Sequence, residues 1–395
     1  MKKIISAVIA GITLFGCATS GTAKVKASKT TFAADALKRY VDSGELPGYI
    51  SVFYKKGVQE TACVGWANVE KKMPITMDNP FMQCSQTKGF CGVTVAMLVE
   101  DGKISLDDPV SKYLPEFKSL KIRHKTKGVI PAENILTVRM VMNHTGGFPF
   151  EIPTKVKKGW CALGLRESAR EAAANPLLFE PGTQVKYSNT GIDIGAAIVE
   201  VVSGKPWEVF LKERVFEPLG MKNSTFQPTD EMLANSIAMY SVQRGKKAVF
   251  KEYDKWMPTP HNGPTVFPSA GAGLWTTAND QLKFYKMLMN LGVGENGVRI
   301  LKEETVKKLL AASTRPGKLG GYSLGLVVGR SVMGHGGAWG TKCNVDWQKK
   351  QLTLFVVQVV TKSRFWIRDI NNAANKFFQS NFDSSGTDAY TGRTK

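Results

Sequence analysis

One serine and one lysine stand at a spacing that suits nucleophilic catalysis. Ser85 and Lys88 form the only S-x-x-K in the 395 residues. In a helix, residues three apart lie on one face, so the lysine amine would lie beside the serine hydroxyl. A serine hydroxyl is a weak nucleophile that needs an adjacent base, and a desolvated lysine loses its proton more easily. On its own, the pattern would more often be a helix-capping serine with a surface lysine.

A tyrosine and an asparagine offer the next pieces of chemistry. Tyr187-Ser188-Asn189 is the only Y-x-N in the chain. A tyrosine near a lysine ammonium can release its phenolic proton and relay it to a leaving group. An asparagine amide can orient a substrate carbonyl through hydrogen bonds. The tripeptide therefore extends the hypothesis from a nucleophile to a proton relay.

The third motif is His335-Gly336-Gly337, one of three H-x-G sequences in the chain. The other two begin at His144 and His261, and His335 alone stands in the strand-rich C-terminal segment. Glycines there would let a substrate lie close to the strand backbone. The backbone N–H of Ala338 would then join that of Ser85 as an oxyanion hole.

These residues need a scaffold, and the hydrophobic pattern predicts a strand-rich lobe split between the two ends of one domain, residues 30–380. Residues 30–105 and 266–380 would form this α/β lobe, residues 106–265 an inserted helical lobe, and residues 381–395 a disordered tail. The helix that contains Lys88 is apolar nearly all round, which predicts a central, buried position. The predicted helices are 32–43, 86–100, 138–143, 168–175, 193–202, 281–290 and 366–378, and the predicted strands are 49–54, 61–66, 324–328 and 352–359.

The first residues have the pattern of an export signal. Lys2 and Lys3 precede an apolar run, 4–15, that is too short to span a bilayer but has the length of a signal-peptide core. We therefore expect residues 1–23 to direct export to the periplasm or the cell envelope. Two processing routes stay open: lipidation of Cys17, which would be the protein's link to a membrane, or cleavage after Ala23.

The composition limits the partners. The formal net charge is +20, which is typical of a solvated surface, with an anionic cell-envelope polymer as the alternative partner. Export and the lack of a binding motif argue against nucleic acid. The chain has no C-x-x-C and no H-E-x-x-H, so we expect no metal site and no cofactor. The spacing of its cysteines fixes no disulfide pairing: Cys17, Cys63, Cys84, Cys91, Cys161 and Cys343.

The three motifs, in this order, resemble the signature of serine β-lactamases and penicillin-binding proteins. The wider sequence is similar to the branch that contains class C β-lactamases, D-alanyl-D-alanine carboxypeptidases, D-aminopeptidases and β-lactamase-like esterases. The resemblance covers the chain from about residue 32 to 378 and is carried by residues 104–117, 137–147, 179–195, 216–226 and 270–280. It implies an α+β fold in which an antiparallel sheet is flanked by helices, with an inserted helical lobe and the site between the lobes.

The resemblance also implies roles. Ser85 would attack the carbonyl of a small-molecule or peptide substrate, and water would release the acyl group. Lys88 and Tyr187 would share the work of base and acid, and which of them takes the first proton stays open. The remaining implied residues are Asn189, His335, Gly336 and Gly337 for substrate binding, and the backbone N–H groups of Ser85 and Ala338 for the oxyanion.

Three departures from the family pattern shape the functional hypothesis. His335-Gly336-Gly337 stands where β-lactamases of this branch typically carry Lys-Thr-Gly, so a fixed cation is replaced by a titratable group. This favours an esterase or a D-amino-acid peptidase over a β-lactamase. Gly89 and Gly92 in the nucleophile helix should each cost about 1 kcal/mol relative to alanine, unless close packing requires them. Cys84, directly before the nucleophile, is expected to be a small buried residue.

Two other hypotheses for this sequence do not require catalysis at Ser85. A non-catalytic protein could use the same cleft to bind or sense a cell-wall fragment. A positively charged envelope scaffold is a second such alternative. Ser323 lies in a G-x-S-x-G sequence, but the surrounding pattern argues against an α/β-hydrolase. The apolar residues after Ser323 predict a strand, whereas a nucleophile elbow needs a helix there.

Overall fold

The computed structural model describes residues 26–27, 31–151, 163–251, 267–315 and 321–381. The expected signal peptide at 1–23, Cys17, Cys161 and the tail after residue 381 lie outside the described residues, so these predictions stay predictions. No helix that the structure describes combines the length and the apolar character needed to cross a bilayer. Cys84, Cys91 and Cys343 are buried free thiols.

Helices make up the flanking layers and most of the middle of the chain. Short 3-10 turns stand at Cys84–Gln86, Val110–Lys112 and Pro115–Lys118, and π turns at Lys212–Phe216 and Val306–Leu310. The α-helices are α1 Phe32–Asp35, α2 Lys38–Asp42, α3 Thr87–Glu100, α4 Val138–Met142, α5 Leu165–Ala174, α6 Asn189–Ser203, α7 Trp207–Leu211, α8 Glu217–Leu219, α9 Asp230–Ala234, α10 Ala278–Met289, α11 Glu303–Thr305 and α12 Ile367–Asn381.

The strands come mainly from the two ends of the chain. They are β1 Lys26–Ala27, β2 Gly48–Lys55, β3 Val58–Asn68, β4 Met73–Pro74, β5 Phe81–Met82, β6 Lys121–His124, β7 Gly128–Pro131, β8 Met239–Ser241, β9 Val249–Lys251, β10 Trp275–Thr276, β11 Tyr322–Ser323, β12 Leu326–Gly329, β13 Val332–Gly336, β14 Lys342–Asp346, β15 Gln351–Val356 and β16 Val359–Val360. The tight β2–β3 turn forms because Lys56 and Gly57 both adopt positive φ, 45° and 86°.

In the part of the chain that the structure describes, the largest sheet runs in the order β1-β3-β2-β15-β14-β13-β12-β11, with β4 paired to β3. Its neighbours pair antiparallel except β1 with β3. Ile50 on β2 pairs with Val356 on β15, so strands from both ends of the sequence meet at the centre. The α+β fold with a large antiparallel sheet is thereby confirmed.

Both faces of this sheet are buried, because its strands alternate between two apolar clusters. On β2, Ile50 and Val52 join the cluster that contains Phe90 of α3, while Tyr49 and Phe53 join the cluster that contains Phe377 of α12. This alternation follows from the two-residue period of a strand. Helix α3 is therefore held between the sheet and the helical part of the chain.

Close packing explains the two glycines of α3. A Cβ on Gly92 would lie 1.7 Å from the Leu324 carbonyl oxygen, and one on Gly89 would lie 2.8 Å from Leu326 Cδ2. Side chains at these positions would push α3 away from the β11–β12 segment. Glycine has a low helix propensity, but at these two positions it allows the nucleophile helix to approach the sheet closely.

Three predicted elements are interrupted in the structure. The strand expected at 352–359 ends at Val356, and Val359 begins β16, which pairs in another sheet with β8. The strand expected at 324–328 is wrong in its first part, because Gly325 has a φ of 74° and makes a turn between β11 and β12. A Cβ there would lie 2.0 Å from the Lys88 carbonyl oxygen, so the turn is pressed against α3. The helix expected at 32–43 is split into α1 and α2 around residues 36–37.

Candidate active site

Ser85 stands where a strand turns sharply into the central helix. Strand β5 ends at Met82, and Cys84 then adopts a φ of 52°, which is rare for a residue with a Cβ and costs about 1–2 kcal/mol. A 3-10 turn, Cys84–Gln86, leads into α3. Ser85 is partly exposed, whereas the residues on either side of it are buried. The turn thus presents the serine side chain to the cleft.

Lys88 is completely buried, one turn after Ser85. Its Nζ lies 2.6 Å from Asn189 Oδ1, 2.6 Å from the Gly271 carbonyl oxygen and 3.3 Å from Ser85 Oγ. All three partners are uncharged acceptors. Because burial disfavours the ammonium form, the pKa of Lys88 is lowered, although the carboxylate of Asp193 acts in the opposite direction. Lys88 therefore loses its proton more easily than an exposed lysine and can serve as a base.

Tyr187 covers the lysine from the helical side. The Lys88 Nζ lies 4.6 Å from the centre of the Tyr187 ring. Burial raises the pKa of Tyr187, and a hydrogen bond with Ser85 offsets only part of this rise. The phenol therefore keeps its proton at neutral pH and can donate it.

Helix α6 carries Asn189, which contacts Lys88, and also Asp193, which sequence reasoning missed. The N-cap of α6 is Ser188, whose hydroxyl accepts a hydrogen bond from the Gly191 N–H. Asp193 lies one helical turn after Asn189, and its Oδ1 accepts from the Gly271 N–H at 2.9 Å. The four-residue spacing of these two polar residues was the available signal.

His335 lies on β13, 6.2 Å from Tyr187 between ring centres. Its Nδ1 is 2.6 Å from the Gly336 carbonyl oxygen, which can only accept, so Nδ1 carries the proton. Its Nε2 therefore accepts from the Tyr322 hydroxyl at 3.2 Å. Burial lowers the pKa of His335 to about 3. At neutral pH the group is uncharged, and both nitrogens already have partners.

A second histidine, passed over among the H-x-G sequences, also lies at the site. The ring of His144 lies between those of Tyr187 and Tyr322, at 4.5 and 4.6 Å. Its Nδ1 accepts from the Ser188 N–H, while its buried Nε2 has no hydrogen-bond partner among the described residues. Burial lowers the pKa of His144, so this ring too is neutral and packs as an aromatic wall.

The glycine segment after β13 packs directly on the nucleophile turn. A Cβ on Gly337 would lie 2.5 Å from the Gln83 carbonyl oxygen, whereas one on Gly336 would meet nothing closer than 3.6 Å. The Ala338 N–H lies close enough to Cys84 to offset, in part, the rise that burial causes in the pKa of its thiol, to about 12. The Arg364 guanidinium donates to the Gly337 and Ala338 carbonyl oxygens. The oxyanion role of Ser85 and Ala338 stays a prediction.

The structure thus brings Ser85, Lys88, Tyr187 and Asn189 into contact, with His335 alongside. Within the described ranges, no group of His, Cys, Asp and Glu side chains is arranged to hold a metal ion. The arrangement of a hydroxyl, a desolvated amine and a protonated phenol can transfer an acyl group with proton exchange.

The chain is similar in sequence and in fold to several known proteins. The family model described as Beta-lactamase matches residues 33–372. Protein Rv1367c of Mycobacterium tuberculosis is 26% identical over 82% of this chain and 88% of its own length. Esterase EstB of Burkholderia gladioli is 27% identical over 55% of this chain and 59% of its own. The solved structure of EstCE1, a hydrolase with promiscuous acyltransferase activity, has a TM-score of 0.72 at 20% identity, and the match covers 87% of this chain and 97% of that one.

Proposed function

The chain belongs to the beta-lactamase family, and on that premise we propose that it is a serine hydrolase that cleaves uncharged esters through an acyl-enzyme on Ser85. The observation that carries the proposal is the buried Lys88 amine, which has only neutral acceptors and lies 3.3 Å from Ser85 Oγ. A lysine with no direct ion pair in a dry site serves as a base better than as a cation.

The steps assign one role to each ionisable group. Ser85 Oγ bonds to the ester carbonyl carbon, and its proton passes to the Lys88 amine. The bond to the leaving alcohol breaks as Tyr187 donates its proton to the departing oxygen, and Lys88 returns a proton to Tyr187. Water then attacks the acyl carbon with the same groups in reverse, and the bond to Ser85 Oγ breaks. Lys88 rather than Tyr187 is the first base, because burial favours the neutral amine and the neutral phenol.

The character of β13 supports an uncharged substrate. His335 is neutral, and both of its nitrogens are occupied by Tyr322 and Gly336. A free carboxylate, as in a β-lactam or a peptide C-terminus, finds no cation in this side chain. On the helical side, Phe150 is 46% exposed and stacks on the Tyr187 ring at 6.1 Å, which supplies apolar surface. The names of the esterase EstB and the hydrolase EstCE1 are in keeping with an ester substrate.

The test is turnover of short p-nitrophenyl esters, combined with intact-protein mass measurement of Ser85 labelling by a fluorophosphonate. Ser85→Ala should abolish both signals. Ser323→Ala, which removes the serine of the G-x-S-x-G sequence, should retain both. A mass adduct on Ser85→Ala, or unchanged turnover by it, would overturn the proposal.

Two further outcomes of these assays would distinguish an esterase from a β-lactamase and from a non-catalytic binding protein. Hydrolysis of benzylpenicillin at rates comparable to the esters would mean that the substrate assignment is wrong and that the enzyme is a β-lactamase. Absence of any turnover and of any Ser85 adduct, from folded protein, would favour the non-catalytic binding protein instead.

A further inference from the structure

Asp193 is a buried carboxylate that the steps above do not use. It lies on α6 and is 7% exposed. Its Oδ1 accepts hydrogen bonds from the Gly271 N–H at 2.9 Å and from the Ser269 hydroxyl at 3.2 Å. Burying a carboxylate is costly unless it is compensated, so its position next to the catalytic lysine calls for a function.

The contacts link Asp193 to Lys88 through a single residue. Gly271 donates its N–H to Asp193 and accepts the Lys88 ammonium at its carbonyl oxygen, 2.6 Å away. A Cβ on Gly271 would lie 2.7 Å from the Asn189 Cβ, so only glycine allows this approach. Helix α6 therefore holds Lys88 twice, directly through Asn189 and through Gly271 by means of Asp193.

We propose that Asp193 is a positioning residue that fixes the 269–271 segment against Lys88 and adjusts, with its charge, the pH at which Lys88 becomes a free base. The inference rests on the proposed function and names an additional residue for the same reaction. In this role Asp193 acts on Lys88 through Gly271.

The other titratable groups around Lys88 do not supply a comparable charge. Burial raises the pKa values of Cys84, Cys91 and Tyr187, so these groups are neutral. Burial also lowers the pKa values of His144 and His335, so these rings are neutral as well. Asp193 is thus the group around Lys88, among the described residues, that can oppose the effect of burial on the lysine. Its carboxylate raises the pKa of Lys88, while burial lowers it. Burial also raises the pKa of Asp193, to about 7, and the hydrogen bonds from Gly271 and Ser269 and the charge of Lys88 act against that rise, so the two groups titrate together.

Replacement of Asp193 by asparagine separates charge from position. An asparagine keeps an oxygen that accepts from Gly271 and Ser269, but it removes the negative charge. The Lys88 amine should then resist protonation down to lower pH. We expect the acidic limb of the kcat/KM profile for a p-nitrophenyl ester to move by about one pH unit toward acid. Ser85 labelling by the fluorophosphonate, measured against pH, should show the same shift.

Two variants make the test specific. Asp193→Ala removes both the charge and the anchor, so its limb should shift likewise and its kcat should fall about tenfold or more, because the 269–271 segment loses its support. Asp107→Asn is the matched control, since Asp107 is an exposed carboxylate paired with Arg139, and its profile should superimpose on that of the wild type.

The possible results are distinct. An Asp193→Asn profile that is scaled down but unshifted would overturn the inference, since a merely structural carboxylate lowers activity equally at all pH values. If Asp193→Asn fails to fold, as judged by its circular dichroism and melting temperature, Ser269→Ala replaces it. That change removes a hydrogen bond that holds down the pKa of Asp193, so the carboxyl binds a proton more readily and less negative charge remains beside Lys88. The limb should move in the same direction by a smaller amount, and an unmoved limb would overturn the inference. If wild-type protein shows no Ser85-dependent reaction, it is the proposed function that has failed.

Discussion

Two lysines are buried on helices in the part of the chain that the structure describes, and they differ in whether a carboxylate contacts the amine. Lys286 on α10 is 4% exposed and forms a direct ion pair with Glu295, 2.8 Å from Nζ to Oε1. Lys88 on α3 is 0% exposed and contacts only neutral oxygens, while its nearest carboxylate acts through Gly271. A direct ion pair stabilises the charged form of a buried lysine. Neutral acceptors offset less of the cost of burying the charge, so a lysine that has only such acceptors releases its proton more readily. One lysine is therefore suited to hold structure and the other to exchange a proton.

The largest expected effect follows from removing the exchanging lysine. Lys88→Met should slow Ser85 labelling and ester turnover by about 10³-fold or more, because the serine loses its base. Its melting temperature should stay the same or rise, since an amine without a direct ion pair is replaced by an apolar side chain of similar length. Labelling rates and thermal unfolding check both parts. If the variant stays active and is destabilised, Lys88 has a structural role like that of Lys286 and is not the base.

The next effect tests the proton donor above Lys88. Tyr187→Phe should lower kcat by about 10²-fold, because the leaving group loses its acid while the ring contacts remain. Tyr322→Phe is the matched control, as its hydroxyl donates to His335 rather than to Ser85, and it should lose less than about tenfold. Steady-state ester kinetics distinguish the two, and equal losses would contradict the assignment of the acid to Tyr187.

A third prediction extends the comparison to another buried base without an ionic partner. Burial lowers the pKa of His335 to about 3 in the folded protein, from 6.5. Between these two pH values, the unfolded chain carries a proton on this histidine that the folded protein does not. Stability is therefore lost as the pH falls below about 6.5, and this one group should contribute about 2 kcal/mol of loss by pH 5. Urea unfolding at pH 7 and pH 5 should show a smaller difference for His335→Gln.

The smallest expected effect is that of the structural lysine. Lys286→Met should keep ester turnover within about threefold and lower the free energy of unfolding by about 1 kcal/mol, since Glu295 is partly exposed and can be solvated after losing its partner. Urea unfolding at pH 7 measures the change. A loss of turnover as large as that of Lys88→Met would remove the distinction between the two lysines.

The sequence was sufficient to predict the parts of the site that depend on local spacing. Ser85 and Lys88 are one turn apart, and the Tyr187 and Asn189 pair stands at the start of a helix, so these residues could be singled out before their contacts were known, while their catalytic roles stay predictions. The confirmed α+β class was implied by the resemblance to the family, in agreement with the distribution of strand-forming residues along the chain. The two residue pairs could be recognised because their members stand close together in the chain.

What the sequence could not predict depends on burial and on contacts between distant segments. His335 was expected to be titratable near neutral pH, but Tyr322 and Gly336 enclose it and keep it neutral. Asp193 acquires its importance only through Gly271, 78 residues away. The strand expected at 324–328 failed at Gly325 because α3 presses on that turn. In each case a tertiary contact decided the outcome.

The pairing of β2 with β15 has a consequence for how the protein acquires its structure. Ile50 cannot meet Val356 until nearly the whole described chain is present, so the growing chain carries the β2–β3 hairpin for a long time with one apolar edge unpaired. Contacts between such distant residues form slowly, and an unpaired edge invites association with other chains. Assembly of the cleft must wait for the last strands, and refolding at high protein concentration should therefore lose material to aggregation before activity appears.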